Sequence, residues 1–409
     1  MTANAAAPST TALEPAHAAT IVATLPLVGA NIDAITTEFY RRLFAHHPEL
    51  LRNLFNRGNQ AQGAQQRALA ASIATFATHL VDPDLPHPAE LLSRIGHKHA
   101  SLGIVPEQYP VVHEHLFAAI VEVLGSEVVT AEVAAAWDRV YWLMAQTLID
   151  LEHRLYTEAG VADGDVYRRA RVLSRVDDPS GAVVVTVRPD TDGDGKFAPG
   201  QYVSVGVTMP DGARQLRQYS LINVGGNGEL SFAVRPAGEV SDWIRDHLRV
   251  GDLLDVTVPF GDLVSPQQWD QRHHTPESGA GLVLISAGIG VTPMIGILEA
   301  LVADAPDTRV QILHADRSDR THPLRERQRE LLAKLPGATL DIWYEDGQTA
   351  AMAGVHPGLL RLDDIELPAG AQVYLCGADG FVRAVRDQLA ARGVEDVHCE
   401  LFSPNDWLL

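Results

Sequence analysis

Cysteine and positive charge are both scarce in this chain of 409 residues. It has only two cysteines, Cys376 and Cys399, too few for a disulfide framework or a cysteine-bound zinc cluster, and such sparse usage is typical of a reducing compartment. The 32 Lys and Arg face 52 Asp and Glu, which leaves a formal net charge of -20. Since that charge repels phosphate backbones and anionic head groups, we expect no nucleic-acid partner and no binding to membrane surfaces.

The N-terminus lacks the features of a targeting segment. Residues from Met1 to about His17 are rich in Ala, Thr and Pro, without the basic and apolar regions of a secretory signal. We therefore expect a disordered tail over residues 1–18. We find no unbroken run of about 18 apolar, uncharged residues, and so we expect no membrane span. The chain is predicted to be a cytoplasmic monomer.

Apolar residues recur every three or four positions from residue 19 to 157, as in Ile32, Ile35, Phe39 and Leu43. This spacing predicts an all-helical domain. Residues that end helices predict breaks between its helices. These breaks fall near Pro48, 57–63, 82–88 and 103–106.

The pattern changes after a small, acidic stretch at residues 158–166, which we interpret as a linker. Short runs rich in β-formers follow over residues 167–270, which is typical of a small antiparallel barrel. Over residues 279–409 apolar strands alternate with helical segments, which predicts a parallel sheet covered by helices. The expected fold is therefore multidomain: all-α, then antiparallel β-barrel, then parallel α/β.

A glycine-rich turn lies where the first α/β strand meets its helix. Gly288 and Gly290 precede Thr292 and Pro293, which open the helix. Glycines let the backbone approach a pyrophosphate, and the helix N-terminus offers free N–H groups. The spacing differs from the dinucleotide pattern GxGxxG, so on its own this motif is equally compatible with an ordinary turn.

Three β-segment motifs precede that turn: GQY at 200–202, RQYS at 217–220 and GEVS at 238–241. In this order, residues 167–409 resemble the ferredoxin reductase superfamily. The resemblance implies an FAD site in which Arg217 meets the flavin phosphate, Tyr219 its ring, and Ser220 its reactive nitrogen. It also predicts that Ser241 faces the pyrophosphate from a helix N-terminus. The remaining FAD residues implied are Tyr202, Gln218, Gly238 and Val240.

Two later motifs extend the resemblance: YLCGADG at 374–380 and HCELFSP at 398–404. They imply that Glu400 and Phe402 cover the flavin. Two departures, Ala378 where the family commonly has Pro and Ser403 where it commonly has Gly, affect the geometry at the flavin face. The NAD(P) residues implied are Gly288, Gly290, Val291, Thr292, Pro293, Arg317, Ser318, Cys376 and Gly377.

The helical third contains most of the candidate metal ligands among 17 histidines. In LLSRIGHKHASL, His99 follows Leu92 by seven residues and Ile95 by four, which places it on the apolar helix face. His97 lies about 140° away from Leu92 at 100° per residue. His99 is therefore the better inward-facing imidazole.

Residues 19–156 resemble the globin domain of flavohaemoglobins through EFYRRLFAHHPEL, NQAQGAQQRAL and HKHASLGIVPEQY. The resemblance implies haem b with His99 as the proximal iron ligand and Tyr40, Gln65 and Leu69 on the distal side. Periodicity alone allows Gln65 or Gln66. The resemblance also implies that Tyr109 and Glu152 hydrogen-bond the proximal imidazole. Glu152 lies on the apolar stripe of its helix, where a carboxylate needs a partner.

The two resemblances together imply a nitric oxide dioxygenase, in which NAD(P)H reduces FAD, the flavin reduces the haem, and nitric oxide and O2 become nitrate. The alternatives are a peroxide or nitric oxide reductase, a lipid-binding distal pocket, or an oxygen store or sensor. The choice between NADH and NADPH stays open. Arg317, Ser318 and Arg320 follow the second α/β strand, where they either hold an adenosine 2′-phosphate or remain exposed.

Overall fold

The computed structural model describes residues 13–82, 84–86, 88–190, 197–264, 269, 281–346 and 353–402. These residues form a helical unit, then a curled antiparallel sheet, then a parallel sheet with helices. The predicted order of the three folds is thus observed. Residues 1–12 of the predicted tail and Ser403 lie outside the described residues.

The helical unit holds seven α-helices among the described residues, separated by short turns. They are α1 (Pro15–His46), α2 (Pro48–Asn53), α3 (Arg57–Ala61), α4 (Ala64–Val81), α5 (Ser93–Leu102), α6 (Gln108–Leu124) and α7 (Ala131–Glu158). Two sequence-based boundaries are wrong. The first helix starts at Pro15, because proline is well tolerated at a helix start, so residues 15–18 are not tail. A short helix also lies within the predicted break at 57–63, where the Asn56 side chain caps it.

Helix α1 is long and apolar enough, by length and composition, to cross a membrane. Helix α1 contains no unbroken apolar run of the required length, so the sequence criterion used above did not identify it. Its buried residues, including Ile21, Val28, Ile35 and Leu43, repeat along one side and face α4, α6 and α7. Although Val22 is exposed, this one-sided burial is the pattern of a core helix in a globular domain.

The middle unit is a six-stranded antiparallel sheet in the order β4-β3-β6-β1-β2-β5. Alternating valines on its inner face, such as Val183, Val185 and Val187, form the core together with helix α8 (Glu239–His247). The strands are β1 (Tyr167–Asp177), β2 (Val183–Pro189), β3 (Tyr202–Thr208), β4 (Arg214–Ser220), β5 (Leu230–Val234) and β6 (Leu253–Thr257).

The last unit is a six-stranded parallel sheet in the order β10-β9-β8-β7-β11-β12. The chain runs from β7 to β8 on one side and reaches β11 on the other. Such a reversal opens a crevice at the carboxyl ends of the strands, where ligands bind in folds of this type. The elements are β7 (Leu282–Ala287), α9 (Val291–Asp304), β8 (Val310–Asp316), α10 (Arg325–Leu332), β9 (Ala338–Tyr344), β10 (Val355–Pro357), β11 (Gln372–Gly377), α11 (Asp379–Ala390) and β12 (Val397–Leu401).

Helices α5 and α7 approach closely at Gly96. A Cβ atom at this position would lie 2.3 Å from Cδ2 of Leu151. The missing side chain therefore lets the two helices pack tightly, and it brings His99 of α5 next to Glu152 of α7.

Two stacked histidines are buried near the carboxyl end of β8. The rings of His314 and His322 lie 3.9 Å apart between centroids. Nδ1 of His314 lies 2.8 Å from Oγ of Ser286, and Nδ1 of His322 lies 3.0 Å from the hydroxyl of Tyr344. Burial lowers the pKa of both imidazoles, and for His322 the other histidine and nearby arginines lower it further.

We expect the free energy of unfolding to fall as pH drops below about 6.5, the pKa of an unperturbed histidine. The folded-state pKa of each ring lies below that value, so the unfolded chain gains protons that the folded chain excludes. Each ring then lowers the free energy of unfolding by up to about 1.4 kcal/mol per pH unit. Replacing His322→Phe, which keeps the stacked ring, should flatten this dependence.

The measurement is denaturant unfolding from pH 5 to 8, followed by circular dichroism. The control is His153→Phe, which removes an exposed histidine from α7. Equal slopes for the His322 variant and the unmodified protein would contradict the prediction.

Candidate active site

A single cavity of about 990 Å³ reaches from the helical unit to both sheets. Such a volume is at the upper end of ordinary cofactor and ligand pockets. Most of the predicted haem-side and flavin-side residues therefore face one shared space. Those lining it are Tyr40, Gln65, Leu69, His99, Tyr109, Tyr202, Arg217, Gln218, Tyr219, Ser220, Gly238, Ser241, Glu400 and Phe402.

On the proximal side, His99 is held by a carboxylate and a phenol. Its Nδ1 lies 2.8 Å from Oε1 of Glu152 and 3.3 Å from the hydroxyl of Tyr109. The Tyr109 hydroxyl donates to the same Oε1 at 2.6 Å. The partner that the buried Glu152 needs is therefore present.

This arrangement sets the tautomer of His99. Glu152 accepts the Nδ1 proton, so Nε2 keeps its lone pair, and the ring lines the cavity. A carboxylate behind an imidazole also makes it a more basic metal ligand. The geometry of His99 thus suits one axial bond to a haem iron.

The Tyr109 phenol stays protonated at any physiological pH. Burial and the adjacent negative Glu152 raise its pKa well above the usual range. Its backbone oxygen accepts a 2.7 Å hydrogen bond from the Tyr141 hydroxyl. Tyr109 is therefore a fixed donor to the carboxylate.

Tyr40, which also lines the cavity, is packed among aromatic rings. It stacks on Phe44 at 5.6 Å and meets Phe55 edge-on at 5.9 Å between centroids. Burial raises the pKa of its phenol, so the hydroxyl is a neutral hydrogen-bond donor. Leu69 and Gln65 line the same region, and together the three suit a small polar gas in an otherwise apolar pocket.

The structure separates the two glutamines that periodicity left open. Gln65 lines the cavity, whereas the Nε2 group of Gln66 donates to Oε1 of Gln60 at 3.1 Å. The Tyr40 phenol also hydrogen-bonds with Gln60. This contact lowers the pKa of the phenol and so opposes the larger effect of burial. Sequence analysis did not select Gln60, because α3 lay in a predicted break.

On the flavin side, strands β3 and β4 present their residues as cross-strand neighbours. Tyr202 pairs with Ser220, and Gln218 pairs with Ser204 and donates to its Oγ at 3.1 Å. Tyr219 stacks on Phe232, and its buried hydroxyl has no protein partner among the described residues. An orphaned hydroxyl beside a cavity is what a site for a polar cofactor leaves when shown without it.

Arg217 is the cation of this group. Burial lowers the pKa of its guanidinium, and its Nη1 donates to the neighbouring Leu216 oxygen at 2.7 Å. A half-buried guanidinium with spare donors facing a cavity suits a phosphate group.

The first turn of α8 adds backbone donors. Gly238 is its N-cap, and Ser241 lies within the first turn, where its Oγ donates to the Gly238 oxygen at 2.9 Å. Ser241 therefore faces the cavity from inside the helix start. Val240 is different, because its side chain is buried in the sheet core. Only its backbone N–H is available to a phosphate.

The predicted nicotinamide residues meet at the carboxyl edge of the parallel sheet. A Cβ atom at Gly290 would lie 2.5 Å from the Cys376 oxygen, and one at Gly377 would lie 2.6 Å from the Phe381 ring. Gly288 has φ +53° and lies near Arg235 and Asp316. The glycines therefore allow the close approach that a bound pyrophosphate also requires.

Beyond the glycines, Val291, Thr292 and Pro293 begin α9 and are buried. Thr292 lines the cavity. Arg317 and Ser318 lie in the turn after β8, where Asp316 accepts from the Arg317 amide at 2.7 Å. Both signs of charge therefore stand at this edge, and NADH and NADPH remain undistinguished.

The lining residues that were not predicted from the sequence include Arg94, His97 and Lys98 on α5, and Arg235 after β5. The three α5 residues adjoin the predicted ligand His99, and helix-face arithmetic had ranked His97 below His99. Arg235 follows a buried strand directly, a position that offers a usable signal for a ligand-facing charge.

The cavity, the imidazole of His99, the Arg217 cation and the start of α8 fit haem, FAD and a nicotinamide nucleotide. These features define an oxidoreductase that passes electrons from NAD(P)H through a flavin to a globin haem. The globin family model matches residues 37–148, and the oxidoreductase NAD-binding domain model matches residues 284–387.

Relatives that align over nearly the whole of this chain show which family it belongs to. The flavohemoprotein of Bordetella parapertussis is 37% identical over 409 residues, which covers 95% of this chain and 98% of the relative. The flavohemoglobin structure from Malassezia yamatoensis, with bound FAD and haem, has TM-score 0.85 and 33% identity, over 96% of this chain and 100% of that chain. The chain belongs to the flavohemoprotein family, with haem, FAD and NAD(P)H as cofactors.

A solved structure of the reductase portion also matches. It is the FAD/NAD-binding domain of nitric oxide dioxygenase from Vibrio cholerae, at TM-score 0.50 and 29% identity, over 57% of this chain and 98% of that chain.

We expect Glu152→Gln to weaken the bond between iron and His99. A neutral amide accepts the Nδ1 proton less strongly than a carboxylate, so the imidazole becomes less basic. The iron–histidine stretching frequency of the ferrous protein, measured by resonance Raman, should fall. Asp150→Asn, an exposed change on the same helix, is the control and should leave the band in place. An unshifted band in the Glu152 variant would refute the role of the carboxylate.

We expect Arg217→Leu to release FAD more readily while haem content stays unchanged. Hydrogen bonds to charged groups contribute about 1.5–3 kcal/mol, so the dissociation constant of FAD should rise roughly ten- to hundredfold. Equilibrium dialysis of FAD, with the Soret absorbance as internal control, measures the change. Arg188→Leu, which breaks an exposed pair with Glu229 on the same sheet, should retain FAD fully.

Proposed function

We propose that this protein is a nitric oxide dioxygenase, which converts nitric oxide and O2 to nitrate with electrons from NAD(P)H. The observation that carries the proposal is the shared cavity. Tyr40, Gln65 and His99 of the helical unit line it, and so do the flavin-facing residues of the sheet unit. The similarity to the nitric oxide dioxygenase domain from Vibrio cholerae supports it.

The electron balance fits the cofactors. Each nitric oxide that joins one O2 to form nitrate takes up one electron, so one NAD(P)H serves two turnovers and leaves NAD(P)+ and a proton. When bound, the nicotinamide would supply a hydride, the flavin would supply single electrons, and the haem held by His99 would supply the site for the gases.

The protein residues position and polarise. The Tyr40 hydroxyl, which its raised pKa keeps protonated, donates to a gas ligand that gains negative charge. Gln65 supplies a second polar group at the same end, and Leu69 limits the room left for water. Glu152 and Tyr109 hold His99 in the tautomer that leaves the lone pair of Nε2 available to a metal ion.

We place the reaction in the cytoplasm. Both cysteines are free thiols, and Cys376 is buried, which suits a reducing compartment.

The test is the product balance of the purified holoenzyme. With NAD(P)H and O2, nitric oxide should disappear in a one-to-one ratio with nitrate formed. Without O2 its consumption should be slow. Fast anaerobic consumption would instead show a nitric oxide reductase, and slow turnover in both cases would show an oxygen store or sensor.

Replacing Tyr40→Phe should speed O2 dissociation and reduce aerobic nitric oxide consumption. Loss of a hydrogen bond to a charged partner costs about 1.5–3 kcal/mol, or roughly ten- to hundredfold in rate. Stopped-flow displacement of O2 by carbon monoxide measures it. The control is Tyr156→Phe, which removes a buried hydroxyl that donates to the Ile104 oxygen at 2.6 Å. Unchanged O2 dissociation in the Tyr40 variant would exclude this role.

A further inference from the structure

Helix α5 carries functional contacts on two different faces. One face carries His99 toward the haem pocket. The other carries Ser93, His97 and Ser101, which follow each other at four-residue spacing and contact the antiparallel sheet unit. At 100° per residue, His97 lies about 200° around the helix from His99. The helix that supplies the iron ligand is therefore also the docking helix for the reductase.

A short loop after β6, residues 260–262, is held against this docking face. The Gly261 amide donates to Nδ1 of His97 at 3.1 Å. One turn earlier along the helix, the Ser93 hydroxyl donates to the Asp262 carboxylate. The loop is thus fixed to α5 at two points.

The same loop supports a flavin-facing residue. Gly261 has φ +122°, and a Cβ atom there would lie 3.0 Å from the ring of Tyr202. Only glycine allows the ring and the loop to pack this closely. The contact between His97 and Gly261 therefore connects the haem helix directly to the floor of the predicted flavin site.

The hydrogen bond also sets the tautomer of His97. Because Nδ1 accepts the Gly261 proton, its lone pair is in use and the ring proton must lie on Nε2. No hydrogen bond to Nε2 is observed among the described residues, and the ring lines the shared cavity. His97 is thus a neutral donor with one spare N–H beside both cofactor sites.

We propose that His97 is a positioning residue for electron transfer between flavin and haem. It fixes the loop under Tyr202 through Nδ1, and it donates from Nε2 to an acidic or carbonyl oxygen at the edge of a cofactor in the cavity. The role depends on the direction of two hydrogen bonds and not on the charge of the ring. It goes beyond the proposed dioxygenase function, since electrons must cross this gap whichever gas the haem binds.

The negative groups near His97 are Asp262 and Glu158. Asp262 is occupied by Ser93, and Glu158 is exposed at the end of α7. Neither accepts the Nε2 proton among the contacts observed. The Nε2–H of His97, whose ring lines the cavity, is therefore available to an oxygen acceptor there.

The test compares His97→Gln with His97→Met in the holoenzyme. The two side chains match in length and closely in volume, so the amide is the main difference between them. Anaerobic stopped-flow mixing with NADH separates flavin reduction from the later reduction of haem. The rate of flavin reduction in each variant is the reference against which its rate of haem reduction is judged. Haem reduction should be about tenfold or more slower in the Met variant, because small misplacements are costly, and close to normal in the Gln variant.

Hydrogen exchange provides a readout that does not depend on turnover. The Gly261 amide should exchange faster in the Met variant and at the unmodified rate in the Gln variant, whose carbonyl can accept its proton. Ser93→Ala, which removes the other attachment point of the loop, is the control for loop loosening alone, and it should slow haem reduction less than the Met variant.

Equal rates of haem reduction in the Met variant and the unmodified protein would overturn the proposal. So would a Gln variant as slow as the Met variant with its Gly261 amide protected. Neither outcome involves nitric oxide, so the result is independent of the product balance that tests the dioxygenase.

Discussion

The structure depends on one ten-residue helix that packs on both of its sides. On one side α5 lies against α7, close enough at Gly96 that His99 reaches Glu152 at 2.8 Å. On the other side it holds the reductase through Ser93, His97 and Ser101. Because a helix is stiff over this length, any shift of the reductase would be transmitted to the iron ligand. The predicted haem side and the reductase therefore share α5 as a common support.

A buried chain of hydroxyl and amide groups reinforces this contact. Gln218 donates to Ser204, and Ser204 donates to Ser101 of α5, each at 3.1 Å. Ser101 and Ser204 are fully buried. Buried polar groups that satisfy each other across an interface favour a single arrangement of the two surfaces, since separating or sliding them leaves hydrogen-bonding groups unpaired. Gln218 belongs to the strand that carries Arg217 and Tyr219, so the flavin side shares this constraint.

The successful predictions of fold class and domain order came from local sequence patterns. Helical periodicity, closely spaced β-runs and strand–helix alternation each have a physical period that neighbouring residues reveal, and the order of the three units follows from them. The errors were local as well. The break predicted at 57–63 holds helix α3, because the Asn56 side chain caps it by accepting from the Gly58 and Asn59 amides. The first helix starts at Pro15, since proline fits a helix start that composition alone had assigned to the tail.

By itself the sequence determined the fold classes, the glycine-rich turn between strand and helix, and the choice of His99 as the inward imidazole, because these depend on residue type and short spacing. Tertiary structure decided what depends on contacts between distant segments. It placed Gln65 in the cavity and Gln66 against Gln60, and it buried the Val240 side chain in the sheet core. It also turned His97, on the face that periodicity ranked second, toward Gly261. A side chain's direction is local, but its partner is set only when separate elements pack together.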